Sequence, residues 1–370
     1  MPEIYLDNHS GTKPYPHLID RLALLYKEHY AHSGSFHIKG QNQSFLYAHA
    51  LDSMRAAIGV ASDDQCIFCE DPSLPISEVL FDLVKKSGKN HFLSTQIEEN
   101  SLLQGLKNLE KFACTTRYLP LNTFGQVSKD ALEASIGPKT SFLSLSWANP
   151  LTGVIQPVQE LAEVCKEKGI VFHVDASYVI GKLYFRFQDT SINYLSFKGS
   201  SFHAPKGSGA LFIKGKAPLV APKNDTNLPL LATFSESLLE SMNQFEHLCT
   251  ETARLRDLFE KLIKDAISEV EVLFTKAERL PNTSVIAFPG IISEALLYML
   301  NKKGVYATNG GVFSPPLSYI LKSLRFDSLI ADSALSFSLS YETTEADVIE
   351  AAKIIIATAK KLRMYSGQIL

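Results

Sequence analysis

Residues 170–213 read IVFHVDASYVIGKLYFRFQDTSINYLSFKGSSFHAPKGSGALFI, and their pattern decides the fold. Three apolar runs, IVFHVD, INYLSF and GALFI, are rich in Val, Ile, Phe and Leu and are parted by Gly-, Ser- and Pro-containing turns. Continuous apolar runs of this length read as strands covered on both faces. The segment before them, VQELAEVCKEKG, has helical spacing, with Lys166 and Lys168 in its last turn and Gly169 beyond. Basic side chains suit the negative end of the helix dipole, and the glycine supplies the left-handed residue that ends the helix. The same rhythm recurs upstream, in HFLST before SLLQGLKNLEKF and in SFLSLSW before VQELAEVCKEKG. Strands alternating with helices predict a parallel α/β sheet. Asp175 then ends a strand on the side where open α/β sheets place ligands. His173 shares its face by the two-residue period and reads as a buried, hydrogen-bonded histidine.

Working outward, the Pro/Asn-rich stretch APLVAPKNDTNLP and the long helical pattern SESLLESMNQFEHLCTETARLRDLFEKLI read as the crossing into a second domain. NTSVIAFPG, SEALLYMLNKKG, SALSFSLSYE and EADVIEAAKIIIATAKKLRM then alternate as a smaller α+β unit. A chain of 370 residues, 45% hydrophobic and 20% charged, suits two packed domains. A net charge of −3 argues against nucleic acid or an anionic membrane surface as partner. The opening MPEIYLDNHS has no basic and apolar signal pattern, and no apolar run is long enough to span a membrane, so the expected location is cytoplasmic. The five cysteines are odd in number and scattered, and are expected to be reduced. Cys66 and Cys69 form a CxxC with no second ligand pair at zinc spacing, so no metal site is expected.

Seven segments, in order, resemble one family. IYLDNHSGTKPYP resembles the opening YLDNxATTPxxP of the cysteine desulfurases, and HSGSFHIKGQ their NPSSxHxxGQ. WANPLTGVIQPVQEL is similar to NNExGxxQPxxxI, VFHVDASYVIGKL to HVDAxQxxGKL, and SFKGSSFHAPKGSGALFI to SxSGHKxxGPKGxGALYV. LPNTSVIAFPGIISEALLYMLNKKGVYATNGG resembles the segment ending in SxGSAC, and SLSYETTEADV resembles SLGRxxTEEEV. The resemblance is to desulfurases of the class V aminotransferases. It implies the fold type I of pyridoxal-phosphate-dependent transferases, with a large domain over residues 12–245 built on a mainly parallel seven-stranded sheet. Residues 1–11 and 246–370 would form the small α+β domain. It also implies a homodimer and pyridoxal phosphate as cofactor.

Carried over position by position, the resemblance puts most of the chemistry in the wrong residue types. The lysine that holds the cofactor as a Schiff base corresponds to Ser201, with HVDA and APKG in register on either side. Lys198 is the nearest lysine that could replace it, and Lys206 belongs to the separate PKG element. The histidine stacked on the cofactor ring corresponds to Glu99, and the asparagine beside the ring oxygen to Pro150, next to Asn149. The nucleophilic cysteine corresponds to Val312 and the carboxylate-gripping arginine to Ser336. In the phosphate position stands CEDPS, Cys69 to Ser73, where Pro72 lacks an N–H and Glu70 and Asp71 bring negative charge. Read by itself, CEDPSLP is a helix start. Asp175, the partner of the pyridine nitrogen, is retained. The cleft implied by the resemblance thus comprises Asp175, Tyr178, Ser73, Glu99, Lys198 and Ser200.

The leading expectation is a folded, dimeric homologue without desulfurase activity or covalent cofactor, a partner or regulator in sulfur or iron–sulfur metabolism. Overall similarity by itself suggests an active pyridoxal-phosphate enzyme instead. A third reading is a binding protein for a small cationic ligand, drawn by Glu70, Asp71, Glu99 and Asp175 where these converge.

Overall fold

In the computed structural model, residues 3–215 and 226–366 are described. The apolar runs become strands β1 (Ile4–Tyr5), β2 (Gln65–Cys69), β3 (His91–Ser94), β4 (Thr115–Tyr118), β5 (Thr140–Ser146), β6 (Val171–Asp175), β7 (Tyr194–Lys198), β8 (Gly209–Ile213), β9 (Glu271–Leu273), β10 (Thr283–Ala287), β11 (Val305–Tyr306) and β12 (Ala334–Ser338). The main sheet has seven strands in the order β2-β8-β7-β6-β5-β3-β4. Strands β3 to β7 pair in parallel, and β8 runs antiparallel to both β7 and β2. This is the α/β architecture that the alternation of apolar runs predicts.

Every residue of β5 is buried, as expected of a central strand with helices on both faces. The helix Val158–Lys168 carries the chain from β5 to β6 and ends at Gly169, whose φ of 64° is the left-handed cap. The pairing register sets Ser146 of β5 against Asp175 of β6, and Asp175 against Ser196 of β7. Three strand ends therefore open onto one place.

A second, antiparallel sheet runs β12-β10-β9, and β1 pairs with β11. Helices Phe245–Ala266 and Glu345–Ser366 pack Phe259, Ile263, Val348 and Ile355 onto Phe337 and Ile286 of that sheet. The single long helix expected over SESLLESMNQFEHLC is in fact two, Leu228–Asn243 and Phe245–Ala266, broken at Gln244. Each half serves a different core. Leu231, Phe234 and Leu238 bury against the main sheet, whereas Leu255, Phe259 and Ile263 bury against the second. Most of APLVAPKNDTNLP lies in residues 216–225, outside the described residues. Among the described residues no helix is long and apolar enough to cross a membrane, and no group of three His, Cys, Asp or Glu could hold a metal ion. The five cysteines are free thiols.

Candidate functional site

The turn after β3 brings two neighbouring glutamates to the open strand ends. Glu98 is buried and accepts hydrogen bonds from Ser146 N at 2.7 Å, Ser146 Oγ at 2.6 Å and Thr95 Oγ1 at 2.6 Å. Glu99, also buried, accepts from Tyr178 OH at 2.7 Å and from Lys198 Nζ. Asp175 accepts from Ser177 N at 2.8 Å and Ser177 Oγ at 2.6 Å, not from Lys198. Below them His173 is satisfied at both nitrogens, by Ser144 Oγ at 2.7 Å and Ser196 Oγ at 2.9 Å, and burial lowers its pKa to about 3. It is a neutral structural histidine.

Of the three carboxyl groups gathered here, Glu99 pairs directly with the Lys198 ammonium and Asp175 acts on it through its charge. Burial pushes Glu98 up to about 7, and burial with the Glu99 charge nearby pushes Asp175 up to about 6. For Lys198 burial works against the charge, but Glu99 and Asp175 outweigh it and hold the amine above its ordinary range. Burial and Glu99 raise the Tyr178 phenol well above 10, so it donates to Glu99 and stays neutral. His9 meets the Tyr178 ring edge-on at 5.4 Å and is likewise kept neutral by burial, at about 3.

Above this network lies a cleft of about 280 Å³, bordered by Glu70, Asp71, Glu99, Tyr178, Lys198, Ser200, Ser201 and Val312. Ser73 and Asp175 border a smaller cavity of about 30 Å³ beneath it, which Glu99 and Lys198 also touch. Three of the four acidic residues singled out from the sequence therefore face the larger cleft, and Asp175 faces the smaller. Ser336 reaches neither. It lies buried in β12 and donates to Leu151 O at 2.7 Å. Asn149 is spent on its own turn, donating to Ile97 O and accepting from Leu151 N and Thr152 N, each at 3.0 Å.

At the start of helix Ser73–Ser87 one N–H is already taken, because Asp71 Oδ1 accepts from Ser73 N at 2.9 Å. Pro72 sits on β8 where Gly209 leaves room; a Cβ there would lie 2.8 Å from Pro72 Cδ. On the far side the loop bearing Val312 is pinned by Asn100, whose Nδ2 donates to Val312 O at 2.9 Å and whose N donates to Phe313 O at 2.8 Å. Sequence reasoning did not single out Glu98, His9 or Asn100. The signal for Glu98 was its place beside Glu99 in TQIEEN; the other two gave none.

Residues 4–223 match the family model of the class-V aminotransferases, well over half of the chain. The chain belongs to that family. Among similar class-V proteins is a cysteine desulfurase of Nostoc sp., 29% identical over 99% of this chain and 95% of that protein. The cysteine desulfurase NifS of Azotobacter vinelandii is 27% identical over the same shares. A solved NifS-like protein superposes with a TM-score of 0.89 at 23% identity, covering 98% of this chain and 100% of its own. These likenesses support the same fold that the strand order describes.

Class-V aminotransferases imply pyridoxal phosphate, and the residues present do not fit it. A phosphate dianion needs free N–H donors at a helix start. Here Pro72 has none, Asp71 occupies the N–H of Ser73, and two carboxylates border the place. The cofactor ring needs an apolar or aromatic face, and at that position Glu99 forms a buried ion pair. The position that the resemblance gives to the anchoring amine carries a hydroxyl, Ser201, in the turn Gly199–Ser201.

Proposed function

We propose that this chain is a non-catalytic member of the class-V aminotransferases that does not release sulfur from cysteine, and that it serves as a partner or regulator in sulfur or iron–sulfur metabolism. The observation that carries this reading is the Lys198–Glu99 ion pair. Among the described residues Lys198 is the one lysine bordering the cleft, and it is engaged as an ammonium by a buried carboxylate. A paired ammonium has no lone pair with which to attack a carbonyl carbon. Two further absences support it: Ser201 brings no amine to the Schiff-base position, and Val312 brings no thiol to the nucleophile position. None of Cys66, Cys69, Cys114, Cys165 and Cys249 borders the cleft.

The test is turnover. With cysteine and added pyridoxal phosphate, alanine and sulfide should form no faster than in the same mixture without protein. Sustained turnover that disappears in the Lys198→Ala variant would contradict the reading and make Lys198 a relocated anchor.

A further inference from the structure

We propose that Glu99 is an internal latch on the amine of Lys198, and that opening the latch turns Lys198 into a site that captures small aldehydes as imines. This rests on the reading that the unaltered cleft is chemically silent, and it says which contact keeps it so.

The geometry has three parts. Lys198 is the last residue of β7, and its side chain borders both the 280 Å³ cleft and the smaller cavity, so it is reachable by a molecule the size of an aromatic aldehyde. Glu99 is held from two sides. Its backbone carbonyl accepts from Leu103 N in the first turn of helix Asn100–Leu109, and its carboxylate accepts from Tyr178 OH at 2.7 Å. Its other oxygen is thereby aimed at Lys198 Nζ. At 5% side-chain exposure Glu99 has almost no water to compete for it, whereas Lys198 keeps 23%. The latch is buried and the amine it closes is not.

Imine formation needs the nitrogen lone pair. The N–C bond forms as the carbonyl π electrons move to oxygen, a proton passes from nitrogen to oxygen, and water leaves as C=N closes. No oxidant or reductant enters. While Glu99 holds the ammonium, the first bond cannot form. Glu99→Gln keeps the shape and the Tyr178 contact but removes the charge that favours the ammonium. Asp175 and Asp71 still face the amine and favour its charge, so the reaction is read at pH 9, where the low proton supply shifts the amine toward its neutral form.

The experiment is reductive labelling of the full chain with benzaldehyde and cyanoborohydride, followed by peptide mass mapping. Labelling of Lys198 is expressed relative to Lys353, an exposed lysine with 76% of its side chain accessible. In the unsubstituted chain Lys198 should label at least tenfold less than Lys353. In Glu99→Gln the Lys198-to-Lys353 ratio should rise at least tenfold. A smaller rise, with a cooperative melting transition retained, overturns the latch. Should Glu99→Gln not fold, Glu99→Ala, which adds room beside the amine, is read by the same ratio. Rapid labelling of Lys198 in the unsubstituted chain also overturns it. Cysteine turnover is a separate assay, so a failed latch with no turnover leaves the proposed function standing.

Discussion

Glu98 illustrates how a single residue is set by distant partners. Its carboxyl is buried beneath the strand ends, and that desolvation, against three hydrogen bonds that favour the charge, raises it to about 7. The folded chain therefore keeps a proton on Glu98 that the unfolded chain has released by about pH 4.5. The sign follows: the contribution is fully present below the unfolded pKa and is lost as pH rises through 7. Glu98→Gln stays neutral and can still accept from Ser146 N. Between pH 5.5 and 8.5 the unsubstituted protein should lose about 2 kcal/mol of unfolding free energy relative to Glu98→Gln, measured by denaturant titration at both pH values. Other shifted groups, among them Asp7, His9, His173, His203 and Lys182, are common to both proteins and largely cancel in the difference, whereas Asp175, whose charge acts on Glu98, contributes through that coupling. Parallel pH dependences would show that Glu98 ionises in the folded state as freely as in the unfolded. Such a role could not be read along the chain, because its partner Ser146 lies 48 residues on and is brought near only when β3 pairs with β5. That Ser201 and Val312 border the cleft was legible for the opposite reason: the motifs on either side of them are recognisable along the chain.

At the scale of elements, what could be read was what local chemistry dictates. Gly169 ends its helix and the apolar runs became β5, β6, β7 and β8 because those signals act within a few residues. The break at Gln244 was hidden, since both halves of the pattern are amphipathic and only tertiary packing assigns them to different cores. The placement of Ser336 was hidden as well, because a strand's alternation does not say which cleft its ends reach. A further feature belongs to helices Pro16–Glu28 and Ile38–Ile58 and the chain between them. Tyr30, Phe36, Ile38 and Phe45 are 74%, 99%, 66% and 75% exposed, a concentration of apolar surface that lone folded chains rarely present to water. We propose that this face packs against a second copy of the chain, and the homodimer implied by the family resemblance supports that occupant. Sedimentation equilibrium at micromolar concentration should give twice the 40.9 kDa of one chain, and a mass of 40.9 kDa would contradict it.

Across the whole molecule, the fold and the chemistry have separate requirements. The seven-stranded sheet, its helix stops and its buried strands depend on apolar pattern and turn residues, and the chain remains similar to a cysteine desulfurase over 99% of its length at 29% identity. The cleft depends on a few side chains at strand ends and loops, and there Glu99, Ser201 and Val312 bring a carboxylate, a hydroxyl and an aliphatic group to positions that the sequence resemblance assigns to an imidazole, an amine and a thiol. One architecture can hold either set, which is why membership in the family does not carry activity with it. The most direct measurement is the visible absorption of the purified protein after incubation with pyridoxal phosphate and passage through a desalting column. The expected result is a spectrum with no visible band, since the cleft offers neither a free amine nor an anion cradle. A band that survives desalting, and that borohydride converts into a pyridoxyl group on a lysine, would contradict the central claim.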